Sequence, residues 1–345
     1  AVTASLSSEE EFVFKSSRNE YICGWLTYFS FEESFRSFKD NTDVFSEINP
    51  FIYVFDKNGS IRIARDFNEI NLNRIIELAR RNGIKLIPTI VNDVIAAEAG
   101  SADILKDPKI IHIILADQTI VKKHTDAITA LVDKNGFDGI EIDYENFDPK
   151  DNTRLVKFIQ LLSAQMHIRG KTLNIVLEPK FFLGSKPALN SHDLYAIGAS
   201  ADTVKIMCYN MHGLFSKAGP VATPEWIKQL LRAAEKTIPK EKLCAALALH
   251  GFQWGTDKAE SLSYKKIKEL EAKHKPKILR DNNDVPYFSY IETGNKNTVW
   301  FEDAASIAAK VKTIRAEGIK KIAFWRLGEE DQNLYSSPAV NSVLR

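Results

Sequence analysis

Eight short apolar runs recur along this chain, each followed by a longer stretch, most of them with helical spacing, and this alternation limits the fold more than any other feature. The runs fall at 21–29, 48–55, 84–90, 137–143, 172–177, 203–208, 243–249 and 321–325. Between them, apolar residues recur at three- and four-residue intervals over 71–82, 122–134, 152–168, 224–237 and 303–317, the period of an amphipathic helix. Glycines at 83, 136, 170 and 318 close four of these stretches, the usual device for ending a helix before a strand. Eight βα units without a G-x-G-x-x-G after the first strand predict a closed (β/α)8 barrel of the TIM type rather than an open Rossmann sheet. One connection is longer than the rest. Residues 251–302 hold a charged helical piece at 264–273 and a hairpin-like stretch from 287 to 300 turning at Gly294-Asn295. They are expected to form a small insertion after the seventh strand. Residues 1–17 read as a loose N-terminal arm, and the whole of 1–345 as a single barrel domain.

Composition narrows the function classes. The chain has 345 residues, 44% hydrophobic and 26% charged, with a net charge of +1. A nucleic-acid partner calls for a basic patch, and the longest apolar runs fall far short of the roughly 20 residues that span a bilayer. Neither partner is expected, and a monomer is. Cys23, Cys208 and Cys244 lie in strand-like runs without metal-ligand spacing, which predicts buried free thiols, no metal and no cofactor. The chain begins Ala-Val-Thr-Ala-Ser without an initiator Met, which fits a mature secreted or cell-envelope protein after signal-peptide removal, or a trimmed chain.

The fourth run breaks the rule that both faces of a barrel strand are apolar. In Asp138-Gly139-Ile140-Glu141-Ile142-Asp143-Tyr144-Glu145, side chains alternate across the strand. Ile140, Ile142 and Tyr144 face the helices, while Glu141, Asp143 and Glu145 face inward, successive acids roughly 6.6 Å apart. Burying a carboxylate costs several kcal/mol unless it shares a proton or gains a partner. A solvated edge strand would explain the same alternation, but a fourth strand flanked by βα units has no free edge. The acids therefore lie at the C-terminal mouth of a barrel, where catalytic groups collect.

That run resembles the D-G-x-D-x-D-x-E signature of glycoside hydrolase family 18, the chitinase-like barrels. Other stretches resemble the family in the same order: Gly24-Trp25-Leu26-Thr27-Tyr28 on the first strand, Met207-Cys208-Tyr209-Asn210 on the sixth, Gly251-Phe252-Gln253-Trp254 after the seventh, and Val299-Trp300-Phe301-Glu302 with Trp325-Arg326-Leu327-Gly328-Glu329 at the end. The branch most similar is bacterial and includes spore-cortex-lytic-type N-acetylglucosaminidases. The resemblance implies a retaining, substrate-assisted glycosidase acting on β-linked N-acetylglucosamine (GlcNAc) glycans, chitin oligomers or peptidoglycan, without a cofactor. It implies Glu145 as general acid/base, Asp143 as acceptor of the acetamido N–H, and Tyr209 as donor to the acetamide oxygen. Trp325 becomes the apolar floor, and Asn210, Glu141, Trp254 and Trp25 become substrate-binding candidates. Glu141 stands where the family has Asp, and Asn210 replaces the commoner Asp. The alternative is a non-catalytic chitinase-like carbohydrate-binding protein. Glu178 at the end of the fifth run, Asn92-Asp93 after the third and His212-Gly213 after the sixth fit either ligand contact or loop shaping.

Overall fold

The computed structural model describes residues 21–96, 102–180, 188–189, 193–255 and 259–336, so the expected N-terminal arm lies outside the described residues. The eight runs become barrel strands β1 (Tyr21–Thr27), β2 (Glu47–Phe55), β3 (Thr89–Val94), β4 (Gly139–Asp143), β5 (Thr172–Leu177), β6 (Thr203–Met207), β7 (Leu243–Ala248) and β8 (Lys321–Trp325). Each pairs in parallel with the next, and β1 pairs with both β2 and β8, which closes the (β/α)8 barrel.

The five long helical stretches form Glu69–Arg81, Gln118–Asn135, Asn152–Ile168, Pro224–Ala234 and Ala304–Ala316. Polar caps start four of them: Asn68, Asp117, Thr223 and Asp303 each accept a hydrogen bond from the first turn, satisfying amides that have no partner within the helix. Gly83, Gly136, Gly170 and Gly318 have φ of 62°, 62°, 65° and 79°, the left-handed region that glycine enters without steric penalty. Three shorter helices, Phe31–Asp40, Pro108–Ile114 and Leu194–Ser200, escape a periodicity reading. Seven to ten residues hold too few turns for the period to stand out.

The third run departs from its expected bounds. Lys85–Leu86 pairs with Glu47 and Ile48, the ladder breaks, and β3 then continues to Val94. Pro88 explains the break, because it has no N–H to donate. Asn92 and Asp93 therefore belong to a strand rather than to the loop after it.

Side-chain alternation yields two concentric cores. Outward-facing Ile140, Ile142 and Tyr144 pack among the helices, with the Tyr144 hydroxyl bonded to His124 at 2.8 Å. Inside the wall lies a smaller cluster of Cys23, Trp25, Cys244, Ala246, Ala248 and Ala323. On β7, Leu243, Ala245 and Leu247 face out, whereas Cys244, Ala246 and Ala248 face in. Cys23, Cys208 and Cys244 are buried free thiols. Small residues on this side leave room for Trp25 and for charged groups opposite.

After β7, strands Gly251–Trp254, Ala259–Leu262, Leu279–Arg280, Pro286–Glu292 and Asn295–Trp300 form an antiparallel sheet carrying the helix Tyr264–His274. The hairpin turns one residue earlier than expected. Glu292 pairs with Asn295, and the central residues Thr293 and Gly294 both have positive φ, 49° and 82°, as a type I′ hairpin turn requires.

Candidate active site

Polar side chains that the strand alternation sends inward assemble in two storeys. The lower storey centres on Lys205 of β6, which has no exposed surface. Its ammonium lies 3.0 Å from Glu47 and 2.5 Å from Glu141, donates to Asn49 Oδ1 at 2.7 Å, and sits 4.7 Å from the Trp25 ring centroid. Glu47 also accepts from Tyr21 (2.7 Å), Asn49 (2.8 Å) and Asn174 (2.8 Å). Glu141 accepts from the Trp25 indole (2.7 Å) and Thr89 (2.8 Å). Burial pushes the Glu47 carboxyl up, yet Lys205 and the hydrogen bonds from Asn49 and Tyr21 outweigh it and hold it below the usual range. For Glu141, burial outweighs the same lysine and the carboxyl is raised. Both directions are consistent with one cation shared by two acids: Glu47, with more donors, is the ionised partner, and Glu141 retains the greater hold on a proton.

The upper storey opens at the mouth. Asp143 is 3% exposed, and its Oδ2 lies 3.3 Å from Lys106 Nζ. Its Oδ1 is buried without a hydrogen-bond partner among the described residues. Burial pushes the Asp143 carboxyl well up, Lys106 opposes this, and Glu145 and Glu141 add to the rise. Glu145, just past the strand, has a side chain 16% exposed with Oε1 at 2.5 Å from Lys106 Nζ. Its backbone is clamped by one amide: Asn92 Oδ1 accepts from Glu145 N–H (2.9 Å), and Asn92 Nδ2 donates to the Glu145 carbonyl (2.9 Å). Tyr209 follows β6 and is 5% exposed. Burial, then the charges of Asp143 and Glu145, push its phenol well up, so it faces the acid pair as a protonated donor.

Strand ends place Asp143, Glu145, Tyr209 and Trp325 around one mouth. Trp325 ends β8 half-buried, edge-on to Trp25 (5.7 Å) and Phe51 (5.1 Å). Asn210 is exposed with φ of 64°, a conformation asparagine tolerates better than most residues. Trp254 lies in the insertion sheet, half-buried against the inner cluster, its indole donating to the Ser216 carbonyl at 2.9 Å.

Two of the expected substrate contacts lie deeper than the mouth. Trp25 is 2% exposed, and its indole N–H donates to Glu141. Glu141 has no exposed surface and pairs with Lys205 below Asp143. The residues left open by the sequence make contacts within the fold. Asn92 and Asp93 are buried anchors, His212 bonds the Lys217 carbonyl (3.0 Å), and Glu178 accepts from Asn146 N–H (3.2 Å).

Sequence reasoning passed over Lys106, Lys205, Glu47, Asn49 and Asn174. A signal for four of them existed: Glu47, Asn49, Asn174 and Lys205 are polar residues at inward positions of largely apolar strands, the same anomaly that exposed the acids of β4. Lys106 lies in a loop and carries no such pattern.

The closed parallel barrel agrees with what known proteins show. A family described as Glycosyl hydrolases family 18 matches residues 27–330. A cortical fragment-lytic enzyme of Bacillus anthracis is 28% identical over 225 residues, 63% of this chain and 52% of that enzyme. A putative sporulation-specific glycosylase of Bacillus subtilis is 25% identical over 319 residues, 90% of this chain and 73% of that protein. The crystal structure of a chitinase from Chromobacterium violaceum superposes with a TM-score of 0.80 at 21% identity, covering 94% of this chain and 99% of the other. This chain thus spans about half the length of the cortical fragment-lytic enzyme. With the family match extending from β1 past β8 over a barrel that carries the acid-bearing fourth strand, this chain belongs to the glycosyl hydrolases of family 18.

Proposed function

We propose that this protein hydrolyses β-linked GlcNAc-containing glycans, chitin oligomers or peptidoglycan, by a retaining, substrate-assisted mechanism. The observation that carries the reading is the buried Oδ1 of Asp143, unpartnered among the described residues, beside Glu145 at the barrel mouth. A buried carboxylate oxygen without a donor is costly, and the N–H of a 2-acetamido group is the donor that such a sugar would bring. In this mechanism Glu145 gives its proton to the glycosidic oxygen as the bond to the anomeric carbon breaks. The acetamide oxygen attacks that carbon, Asp143 accepts the acetamido N–H, and the Tyr209 hydroxyl donates to the acetamide oxygen. Water then opens the oxazolinium ring while Glu145 takes back a proton, so configuration is retained. Trp325 forms the apolar floor beneath the sugar, and Asn210 and Trp254 meet substrate at the rim. The kinship with a cortical fragment-lytic enzyme favours peptidoglycan, a cell-envelope polymer, and with it a location outside the cytoplasmic membrane.

The test is release of chromophore from an N-acetyl-chitobioside by wild type and Glu145→Gln. Loss of a general acid lowers the rate by about 10²–10⁴-fold. Wild type that binds chitooligosaccharides yet turns over no GlcNAc glycoside would instead be a carbohydrate-binding protein on a hydrolase barrel. Turnover of glycosides lacking the 2-acetamido group would point to Asp143 as an ordinary nucleophile. Mass spectrometry of digests of chitin oligomers and purified peptidoglycan identifies the glycan.

A further inference from the structure

Lys106 carries no motif, and only the tertiary structure singles it out. It sits in the segment between β3 and the helix Pro108–Ile114, where several bonds fix it. Val94 and Ile104 exchange backbone hydrogen bonds of 2.8 and 3.0 Å. The Lys106 N–H donates to Asp93 Oδ1 (2.8 Å), and its φ of 52° turns the side chain toward the mouth. Asn92 ties this turn to the acid strand. Its carbonyl accepts from Asp107 N–H (3.0 Å), while its side-chain amide holds both the N–H and the carbonyl of Glu145. One asparagine thus sets the lysine backbone and the acid backbone at a fixed spacing. A solvated surface lysine has no such scaffolding, and its head group would not be drawn to two acids on a different element.

We propose that Lys106 is a positioning residue for the hydrolytic reaction: its ammonium is the shared counter-ion of Asp143 and Glu145, and it receives the negative charge left on Glu145 when that residue gives up its proton. The proposal rests on the glycosidase reading above. In the bond-breaking step the proton moves from the Glu145 carboxyl to the glycosidic oxygen, the C–O bond breaks, and the acetamide oxygen bonds the anomeric carbon. A carboxylate remains 2.5 Å from Lys106 Nζ, and the cationic oxazolinium ring lies beside Asp143, whose charge Lys106 also touches at 3.3 Å. An ammonium there makes proton donation more favourable and return of the proton less so.

The groups around Lys106 come from several strands of the barrel. Asp93 on β3, Asp143 on β4 and Glu145 after it hold the ammonium protonated against the opposing effect of burial. The Phe51 ring of β2 lies 5.3 Å from Nζ, the Tyr28 phenol after β1 feels its charge weakly, and the Tyr209 phenol after β6 faces the same two acids. Lys106 is the cation that pairs with both Asp143 and Glu145.

Removing that charge raises the proton affinity of Asp143, whose carboxyl Lys106 holds down against burial. The acid limb of the pH profile, where Asp143 must ionise, therefore shifts upward in Lys106→Met by about 1–3 pH units. Lys106→Arg keeps the cation and holds that limb close to its wild-type position. The measurement is kcat/KM against pH for wild type and both variants on a neutral N-acetyl-chitobioside. An acid limb of Lys106→Met that coincides with that of wild type overturns the proposal, as does an upward shift equally large in Lys106→Arg. Titration of carbon-13-labelled carboxylates in the free protein, with the Asp143 signal assigned through Asp143→Asn, reads the same effect without turnover. The Asp143 midpoint rises in Lys106→Met, and an unchanged midpoint overturns the proposal. Wild type inactive on every GlcNAc glycoside defeats the glycosidase reading alone, because the carboxylate titration still decides the role of Lys106.

Discussion

Replacing Lys205 by methionine keeps the length of the side chain and removes the charge between two buried acids. Glu47 would retain three donors, from Tyr21, Asn49 and Asn174, and Glu141 two, from Trp25 and Thr89. Neither acid has water to turn to, being 1% and 0% exposed, so the cheapest response is protonation. Holding one glutamate neutral at pH 7, against an ordinary value near 4.3, costs roughly 3.7 kcal/mol, from about 2.7 units at 1.36 kcal/mol each. Glu141 is already raised in the wild type, so most of the new cost falls on Glu47, whose carboxyl the lysine now holds down. A loss of about 3–5 kcal/mol at pH 7 follows, the range seen when one partner of a buried pair is deleted. The sign with pH is fixed as well. In the variant both folded-state values lie above the unfolded ones, so stability is intact below the unfolded value and is lost as pH rises. At pH 5 the same protonation costs only about 1 kcal/mol. Urea unfolding of wild type and Lys205→Met at pH 5 and pH 7 reads both figures. A difference below about 1 kcal/mol at pH 7, or one equal at the two pH values, refutes the reasoning. The triple variant Glu47→Gln, Glu141→Gln, Lys205→Met should recover stability relative to Lys205→Met, because neutral groups can stay buried and hydrogen-bonded.

Other outcomes follow from the same geometry. His124 is buried among Phe55, Tyr144 and Phe158, and burial pushes it down to about 3. Because the unfolded chain takes up this proton near 6.5, stability falls as pH drops from about 7, by roughly 2 kcal/mol at pH 5 from this group alone. Urea midpoints of His124→Phe should decline less steeply over that window than those of wild type; parallel declines would refute this. A Cβ at Gly139, the first residue of β4, would lie 2.3 Å from the Thr172 carbonyl oxygen. Gly139→Ala should destabilise the barrel by about 1–3 kcal/mol in thermal unfolding, and it should lower activity by displacing the acids that follow on the same strand.

The amino-acid sequence determined the barrel and the acid-bearing strand. Local periodicity suffices for both, since a two-residue repeat fixes which side chains face inward, and the cap and stop residues fix where elements begin and end. Hence Glu141, Asp143 and Glu145 were legible as one inward row, and Ile140, Ile142 and Tyr144 as the opposite face. Neighbours from other parts of the chain were not legible. Trp25 reaches Glu141 across 116 positions, and Lys205 reaches Glu47 across 158. Such pairs depend on the register in which eight strands close and on how far each side chain extends across the interior. Trp25 and Glu141 accordingly read as separate sugar contacts in one dimension, and in three they are buried and bonded to each other. Lys106 marks the limit most clearly. It lies in an aperiodic segment whose course is set by a strand pair at Val94 and Ile104 and by the side chain of Asn92. Only the folded chain brings its ammonium between the two carboxylates that the sequence had already aligned.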